Sequence, residues 1–516
     1  MNREFGDFQT PRGLVDEVLR VLGPVGERWP RVLEPTCGTG NFISGLMDSQ
    51  SPPREIRAFE LQEAHFRTAQ GLARTSCCLI DVRQADLFRI DLRRELDWQN
   101  TGPLLVIGNP PWITSSELGG LASSNVPKKT NFRRLRGIEA ITGHSNFDLS
   151  EHILIKLLVE LAHERPTIAM LCKTQAARNV LRYAHARSIG LEAADIRLIN
   201  ASQWFNVEVE ACLFVMKVGI RPAPIKADIF SDLDSRIADS TIGFVNGFLA
   251  SSVRLYERTA TFDGKSPLTW RQGIKHDAAS VMELTDFGAM AKNRLGEPVR
   301  VESHRVYPLL KSSDLHNHEN PVPRFSVIVT QTKIGEDTAT LEQDSPLLWT
   351  YLQRHRDFFS RRKSSVYTGK PEFSMFGVGE YSFSRYKVAV AGFYGSPRFR
   401  LIRPVADRPV MLDDTCYFVP CRSLRQAALV FCLLNHESCL EFIESLVFRR
   451  AKRPVKKSVL QRIDLQALLQ SIPALDLAEH VDAVMTRYGA DRSGRADVAE
   501  SFEELLQPHR NAPSKK

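Results

Sequence analysis

The chain has 516 residues, which is too long for one compact domain. Of these residues 43% are hydrophobic and 25% are charged, a composition typical of a soluble globular protein. The net charge of +8 favours a polyanionic partner. The sequence contains neither a bilayer-spanning apolar stretch nor a signal peptide, and its nine cysteines follow no disulfide or zinc spacing, so we expect a cytoplasmic protein with no membrane contact and no bound metal ion.

The first 220 residues alternate predicted helices and strands. Thr10 and Pro11 form a helix-start signal, an N-cap residue followed by proline at the first helical position. We expect helices at 11–22, 150–162 and 176–188, and strands at 31–33, 56–59, 80–84, 104–107, 167–172, 195–199 and 211–218. This alternation predicts a mostly parallel sheet with helices on both faces.

A glycine-bearing turn follows the first predicted strand, with the sequence Glu34-Pro35-Thr36-Cys37-Gly38-Thr39-Gly40. Its two glycines allow the backbone to approach a ligand closely. The turn lacks the dinucleotide fingerprint and the lysine of a P-loop, which disfavours a nicotinamide cofactor or a nucleoside triphosphate. Glu34 supplies an anion where those folds avoid one, which fits a positively charged ligand without phosphates, such as S-adenosylmethionine.

Two carboxylates end the next two strands. Glu60 lies about 20 residues past the glycine turn, where an acid can bind ribose hydroxyls. Asp86 can accept a hydrogen bond from an adenine amino group, while Leu61 and Phe88 could enclose the ring. Either carboxylate alone is more often a surface group, but open α/β sheets bind ligands at the carboxyl ends of their strands, which favours a binding site.

The segment Asn109-Pro110-Pro111-Trp112 follows the fourth strand. Its prolines fix φ and remove two N–H donors, and Asn109 is biased toward an extended conformation. The carboxamide oxygen of Asn109 and a neighbouring carbonyl oxygen can accept both hydrogens of an exocyclic amino group. Trp112 adds a flat apolar face beside them. The alternative is a rigid turn without function, which is what most Asn-Pro-Pro sequences are.

Basic residues are concentrated in a long polar loop at 114–145 and in the C-terminal part. The candidates for nucleic-acid contacts are Lys128, Lys129, Arg133, Arg134, Arg398, Arg400, Arg449, Arg450, Lys452 and Arg453. Interleaved aromatics in the C-terminal part suit contacts to phosphates and bases, so we expect duplex binding, although any one such cluster is more often a solvated face. We place a catalytic domain at 1–220, a linker at 221–245, a second domain at 246–507 and a disordered tail at 508–516.

Taken in order, these motifs resemble the gamma class of adenine-N6 DNA methyltransferases of bacterial restriction–modification systems. The resemblance rests on Phe8-Gln9-Thr10-Pro11, the glycine turn through Phe42, Glu60, Asp86 and the Asn-Pro-Pro-Trp segment. It implies a Rossmann-like class I S-adenosylmethionine-dependent methyltransferase fold (α/β) with a C-terminal α+β target-recognition domain.

The resemblance also assigns roles to residues. It implies that the cofactor site includes Thr10, Pro11, Glu34, Pro35, Cys37, Gly38, Gly40, Glu60, Leu61, Asp86 and Phe88. It implies a catalytic set of Asn109, Pro110, Pro111, Trp112 and Phe205, with Phe205 stacking on the extruded base. Trp112 stands where the family more often has tyrosine or phenylalanine.

The implied activity is methyl transfer from S-adenosylmethionine to the N6 amino group of adenine in double-stranded DNA, with the base flipped out of the duplex. We expect a monomeric modification enzyme of the bacterial cytoplasm and nucleoid, acting beside a separate endonuclease. Few residues precede the Gln-Thr-Pro segment, and no Asp…Glu-x-Lys constellation follows it, so we expect no fused nuclease.

Other substrates remain open on these residues. Asn-Pro-Pro-aromatic loops also occur in methyltransferases that act on protein glutamine or on guanine amino groups of RNA. Cytosine N4 methyltransferases usually have serine in place of Asn109. A DNA-binding protein with a decayed methyltransferase domain is a different class, which measurable methyl transfer would exclude.

Overall fold

The computed structural model describes residues 9–73, 78–113, 148–220, 224–285, 291–488, 500 and 502–503. The chain divides into two compact units, Met1–Arg254 and Leu255–Lys516. None of the helices in these described ranges combines the length and the apolar character that a membrane span requires.

The first unit is built on a ten-stranded sheet with flanking helices. Its strands are β1 (Arg31–Glu34), β2 (Glu55–Glu60), β3 (Leu79–Gln84), β4 (Leu104–Gly108), β5 (Thr167–Lys173), β6 (Leu191–Ile199), β7 (Ala211–Val218), β8 (Lys226–Phe230), β9 (Ser240–Val245) and β10 (Phe248–Ala250). Its helices are α1 (Arg12–Leu22), α2 (Val25–Arg28), α3 (Asn41–Met47), α4 (Glu63–Ala73), α5 (Leu92–Glu95), α6 (Leu149–Glu160), α7 (Thr174–Ala186) and α8 (Ala201–Phe205).

The strands lie in the order β10-β9-β8-β6-β7-β5-β4-β1-β2-β3. The five strands from β3 to β5 in this order are parallel, and β7 runs antiparallel between β5 and β6. Every residue of β4 is buried, and successive strand residues point to opposite faces, so both faces of the sheet are covered here. The predicted α/β fold with a mostly parallel central sheet is therefore confirmed.

Two local predictions differ from the structure. Helix α1 begins at Arg12, and Pro11 occupies the N-cap position rather than the first helical position, with no side-chain cap. The proposed linker at 221–245 is not a linker in its described part, because β8 and β9 extend the catalytic sheet through it. Short strands separated by polar turns look like a connection in the sequence, and only pairing with β6 places them in this sheet.

The second unit contains a four-stranded sheet, β11-β19-β16-β17, and a five-stranded sheet, β13-β12-β15-β14-β18. The strands are β11 (Arg271–Gln272), β12 (Glu283–Thr285), β13 (Lys292–Asn293), β14 (Val306–Leu310), β15 (Phe325–Ile328), β16 (Tyr386–Ala391), β17 (Phe399–Ile402), β18 (Met411–Leu412) and β19 (Cys416–Cys421). Most of their pairings are antiparallel, as in an α+β domain.

Helices accompany both sheets. A helix at Val253–Thr259 (α9) begins at the boundary of the two units. The others are α10 (Ala279–Met282), α11 (Ser312–Asn317), α12 (Leu341–Asp344), α13 (Pro346–Arg354), α14 (Arg356–Ser360), α15 (Leu424–Asn435), α16 (Glu437–Leu446), α17 (Lys457–Leu460), α18 (Leu465–Ser471) and α19 (Ala474–Arg487).

Candidate active site

The glycine turn connects β1 to α3 and is anchored to the neighbouring strand by its backbone. Gly38 and Gly40 have φ values of 53° and 88°, in the left-handed region that favours glycine. A Cβ atom at Gly40 would lie 2.7 Å from Leu72 Cδ1, so any other residue there would also force the Leu72 side chain to move. The Cys37 N–H donates to the Phe59 carbonyl at 2.9 Å, which ties the turn to the end of β2.

The Gln-Thr-Pro segment lies against this turn. The Gln9 side-chain oxygen accepts from the Thr39 backbone N–H at 3.1 Å and from the Thr39 hydroxyl at 2.9 Å. Asn41 Nδ2 donates to the Thr10 carbonyl at 2.8 Å. The segment and the turn, 30 residues apart in sequence, thus form one local structure. Gln9 and Asn41 were missed as candidates, although both belong to the motifs that carried the resemblance.

Glu34 is the buried carboxyl group of this site. Its residue is only 2% exposed, and its Oε2 atom has no hydrogen-bond partner among the described residues. Burial, reinforced by the charge of Glu60, raises the pKa of the Glu34 carboxyl well above its usual range, although a hydrogen bond from the Ile43 backbone opposes the shift. A buried carboxylate with an unused oxygen fits a cationic ligand such as S-adenosylmethionine.

Glu60 stands at the end of β2, beside the same turn. One of its oxygens accepts from the Gly38 N–H at 2.8 Å and the other from the Gln62 N–H at 2.8 Å. These bonds fix the direction of the carboxylate. Each oxygen keeps further acceptor capacity, which suits the ribose hydroxyls expected here.

Asp86 follows β3 and is held locally. Its Oδ1 accepts from the Phe88 N–H at 2.9 Å, and its Oδ2 pairs with Arg89 at 3.1 Å. Leu61 is 48% exposed, and its carbonyl accepts from Gln84 at the end of β3 at 3.3 Å. Leu61 and the Asp86–Phe88 turn therefore follow neighbouring strand ends, and their contact with an adenine ring stays a prediction.

The Asn-Pro-Pro-Trp segment leaves β4 next to Glu34. Strands β1 and β4 are parallel neighbours, and Leu33 pairs with Val106. A Cβ atom at Gly108 would lie 3.6 Å from Glu34 Cγ. The loop that begins at Asn109 is therefore adjacent to the buried carboxyl group of the glycine turn.

Trp112 does not offer the open stacking face expected from the sequence. It is 5% exposed, and its Nε1 donates to the Leu171 carbonyl at 3.2 Å. Phe205, the last residue of α8, meets the Trp112 ring edge-on, with centroids 5.0 Å apart and planes at 71°. A base stacked between two side chains requires a separation of about 7 Å between those side chains, which is twice the carbon contact distance of about 3.5 Å. These rings must separate before they can enclose a base.

A lysine joins the end of this loop to the next helix. Lys173, at the end of β5, donates from Nζ to the Trp112 carbonyl at 2.8 Å and to Asp148 Oδ2 at 2.8 Å. Asp148 in turn caps α6 by accepting from the Ser150 N–H at 3.0 Å. We call Lys173 and Asp148 the loop clamp. Both were missed in the sequence, although Lys173 ends a central strand, as Glu60 does.

The basic candidates fall into three groups. Lys128, Lys129, Arg133 and Arg134 lie outside the described residues. Arg398, Arg449, Arg450 and Lys452 are exposed and Arg453 is half-buried. Arg400 is only 8% exposed and its Nε donates to the Leu315 carbonyl at 2.8 Å, so its assignment as a DNA contact is wrong.

No metal centre emerges from the described ranges, where no group of three histidine, cysteine or carboxylate side chains is arranged to hold an ion. The eight cysteines described there are all free thiols. Burial, followed by the charges of Glu34 and Glu60, raises the pKa of the Cys37 thiol, which keeps the thiol neutral beside the turn.

The fold and this arrangement of motifs define a class I S-adenosylmethionine-dependent methyltransferase. No family model matches the chain. The type II methyltransferase M.NspV of Nostoc sp. is 37% identical over 472 residues, which cover 91% of this chain and 98% of that protein. The chain therefore belongs to the type II methyltransferases of restriction–modification systems.

A solved structure extends the likeness to the whole fold. The type IIL restriction–modification enzyme MmeI, solved in complex with DNA, superposes with a TM-score of 0.53 over 96% of this chain and 75% of that one. The two sequences are 11% identical, so this likeness concerns the fold. It agrees with the methyltransferase fold and accompanying α+β unit expected from the sequence.

We expect S-adenosylmethionine binding to release a proton through Glu34. In the free protein the raised pKa keeps this carboxyl protonated at a pH where an ordinary glutamate is ionised, and a nearby cation favours the ionised form. Affinity should therefore fall as the pH is lowered through the free-protein pKa. Calorimetry in buffers of different ionisation enthalpy, repeated over a series of pH values, measures the proton count.

Two variants test this assignment. Glu34→Gln should abolish the proton release, whereas Asp16→Asn, on the exposed face of α1, should not change it. An unchanged proton count in Glu34→Gln would contradict the role given to this carboxyl.

We expect Lys173→Met to slow methyl transfer while leaving S-adenosylmethionine affinity nearly unchanged. The change keeps the side-chain stem but releases the Trp112 carbonyl from the loop clamp, and a loop misplaced by about 1 Å can lower the rate roughly a hundredfold. Lys173→Arg should recover part of kcat.

The matched control is Lys156→Met, since Lys156 also bridges a carbonyl, of Ile90 at 2.8 Å, and a carboxylate, of Glu160 at 2.5 Å. Equal losses of kcat in the Lys156→Met and Lys173→Met variants would show that the loop clamp has no special role in positioning.

Proposed function

We propose that this protein is a site-specific adenine methyltransferase. It transfers a methyl group to the N6 amino group of adenine in duplex DNA, with the base flipped out of the helix. It is the modification component of its system in the bacterial cytoplasm, acts on nucleoid DNA as a monomer, and works beside a separate endonuclease.

One observation carries the proposal. The Asn109 loop leaves β4 directly beside Glu34, where an ideal Cβ atom on Gly108 comes within 3.6 Å of the Glu34 side chain. This proximity supports the assignment of Asn109 and Pro110 as paired acceptors for a planar amine beside the turn proposed to hold the methyl donor. Asparagine at position 109, rather than serine, favours adenine over cytosine, and the DNA in the MmeI structure supports DNA as the substrate.

The chain's own groups account for the amine's reactivity. S-adenosylmethionine supplies an activated methyl group on a positively charged sulfur. The N6 lone pair of adenine is delocalised into the ring and is a poor nucleophile. Asn109 Oδ1 and the Pro110 carbonyl accept the two N6 hydrogens, which favours a pyramidal nitrogen and directs its lone pair at the methyl group. As the bond from N6 to the methyl carbon forms, the bond from that carbon to sulfur breaks and leaves a neutral thioether, and one proton then leaves N6 for water. Positioning accounts for much of the rate.

The base is held by aromatic stacking. Trp112 and Phe205 part from their edge-on contact and enclose the extruded adenine. Extrusion costs a few kcal/mol of unstacking, and stacking on each side chain returns about 1–3 kcal/mol. Pro111 keeps the loop stiff, so that the acceptors on Asn109 and Pro110 stay in place.

Asn109→Ala should reduce methyl transfer to unmethylated genomic DNA by about a hundredfold to a thousandfold, the effect seen when one catalytic hydrogen-bonding group is removed. Because Asn109 contacts the amine and not the cofactor, binding of S-adenosylmethionine, measured by calorimetry, should stay nearly unchanged. Asn109→Asp, which keeps an acceptor oxygen, should retain more activity than Asn109→Ala. Equal loss of transfer and cofactor binding would mean that Asn109 acts elsewhere.

Phe205→Ala should weaken the hold on the flipped base by between about fivefold and about a hundredfold, which corresponds to a loss of about 1–3 kcal/mol of stacking. Phe205→Tyr keeps the ring and should behave as the unchanged protein does. A fluorescent base analogue at the target adenine reports the difference. The same signal in Phe205→Ala and in the unchanged protein would remove Phe205 from the pocket.

A further inference from the structure

Two segments of the second unit that are remote in sequence lie against each other. The loop 392–398 joins β16 to β17, and the segment 447–456 joins α16 to α17. A Cβ atom on Gly395 would lie 2.5 Å from Arg449 Cα and 2.6 Å from the Arg449 carbonyl oxygen. Only glycine at position 395 lets the two backbones come this close. We call the surface formed by 393–398 and 449–453 the basic–aromatic surface.

The positive charge on this surface is only partly neutralised. Arg449 pairs with Glu444 at 2.9 Å, and Arg453 lies 3.9 Å from Asp414. Three further cations are exposed and form no ion pair with a described residue: Arg398, Arg450 and Lys452. The surface therefore presents uncompensated positive charge to an outside partner.

Aromatic rings lie among these cations. Phe393 is 44% exposed, and the Arg453 guanidinium lies 5.0 Å from the centre of its ring. Tyr394 stacks on His316, with centroids 3.8 Å apart and planes at 5°. The loop is thus braced by one ring while another remains open to solvent. An exposed apolar ring on the same surface as uncompensated cations suits the alternation of bases or sugars with phosphates in a nucleic acid.

We propose that the basic–aromatic surface contacts duplex DNA. Arg398, Arg450 and Lys452 bind backbone phosphates, and Phe393 packs against a sugar or base edge between them. This inference rests on the proposed function, which supplies DNA as the substrate, and it adds the part of the second unit that holds it. The surface excludes Arg400, which lies one residue beyond Phe399 and is turned inward.

Salt dependence separates this proposal from a general effect of charge. Binding to DNA weakens as the salt concentration rises, because cations of the protein displace counterions from the phosphates. Each phosphate contact that is lost makes the slope of log K against log salt concentration shallower by about 0.9. The double variant Arg450→Gln/Lys452→Gln should therefore reduce the slope by about 1.8 for an unmodified DNA duplex. The control Lys292→Gln/Arg300→Gln removes one lysine and one arginine, both exposed, from the region of β13, and should leave the slope unchanged.

Loss of the Phe393 ring should affect duplex binding in a different way from loss of the cations. Phe393→Ala should weaken duplex binding by about fivefold or more at every salt concentration without changing the slope, because it removes no charge. Phe393→Tyr keeps the ring and serves as its control. Circular dichroism of each variant tests whether the fold is intact.

The outcomes distinguish the two proposals. An unchanged slope in the Arg450/Lys452 double variant, or an equal reduction in the control, would overturn the assigned surface. Tighter binding to single-stranded RNA than to the duplex would overturn the choice of partner. If the slope changes as expected but no methyladenine forms, the surface stands and the proposed adenine specificity fails. If adenine is methylated while the slope of the double variant is unchanged, the adenine specificity stands and the surface fails.

Discussion

The site depends on the parallel pairing of β1 with β4. This pairing places Leu33 opposite Val106, so the two strands end at the same edge of the sheet. Glu34 and the Asn109 loop then emerge side by side, one from each strand. The proposed reaction requires a methyl donor and an acceptor amine in line within reacting distance, and this backbone register sets the spacing of the two segments proposed to hold them. Because every residue of β4 is buried, the strand cannot shift without exposing core side chains on one face.

The glycine turn and the loop clamp hold the candidate site residues in place at the ends of these strands. The turn that follows the buried Glu34 is hydrogen-bonded to Glu60 through Gly38 and to Gln9 through Thr39. On the other side of β4, Lys173 and Asp148 hold the end of the Asn109 loop against α6. In both the glycine turn and the loop clamp, hydrogen bonds to backbone groups fix the direction of a charged side chain. The Asn-Pro-Pro-Trp segment is therefore held at both ends, which suits the positioning role proposed for it.

Much of the first unit follows from sequence because its signals are local. Apolar runs between glycine or proline residues mark the strands, and ligand residues stand at their carboxyl ends. The predictions that failed depended on contacts between segments that are remote in sequence. The burial of Trp112 depends on an acceptor from Leu171, and the inward direction of Arg400 depends on Leu315. The strands at 226–245 resembled a linker, but β8 pairs with β6 and β9 pairs with β8, which places both in the sheet. Lys173 was missed because its partners come from two other segments of the chain.

The central claim is that the amine beside Glu34 is the N6 group of adenine in DNA. Mass spectrometry of nucleosides, from a bacterial host that lacks its own DNA methylation and expresses this protein, tests it most directly. The account predicts N6-methyladenine, confined by sequencing to one short recognition site and absent when Asn109 is replaced by alanine. The account would be contradicted by N4-methylcytosine without any N6-methyladenine. It would also be contradicted by unmodified DNA from cells in which the protein binds S-adenosylmethionine.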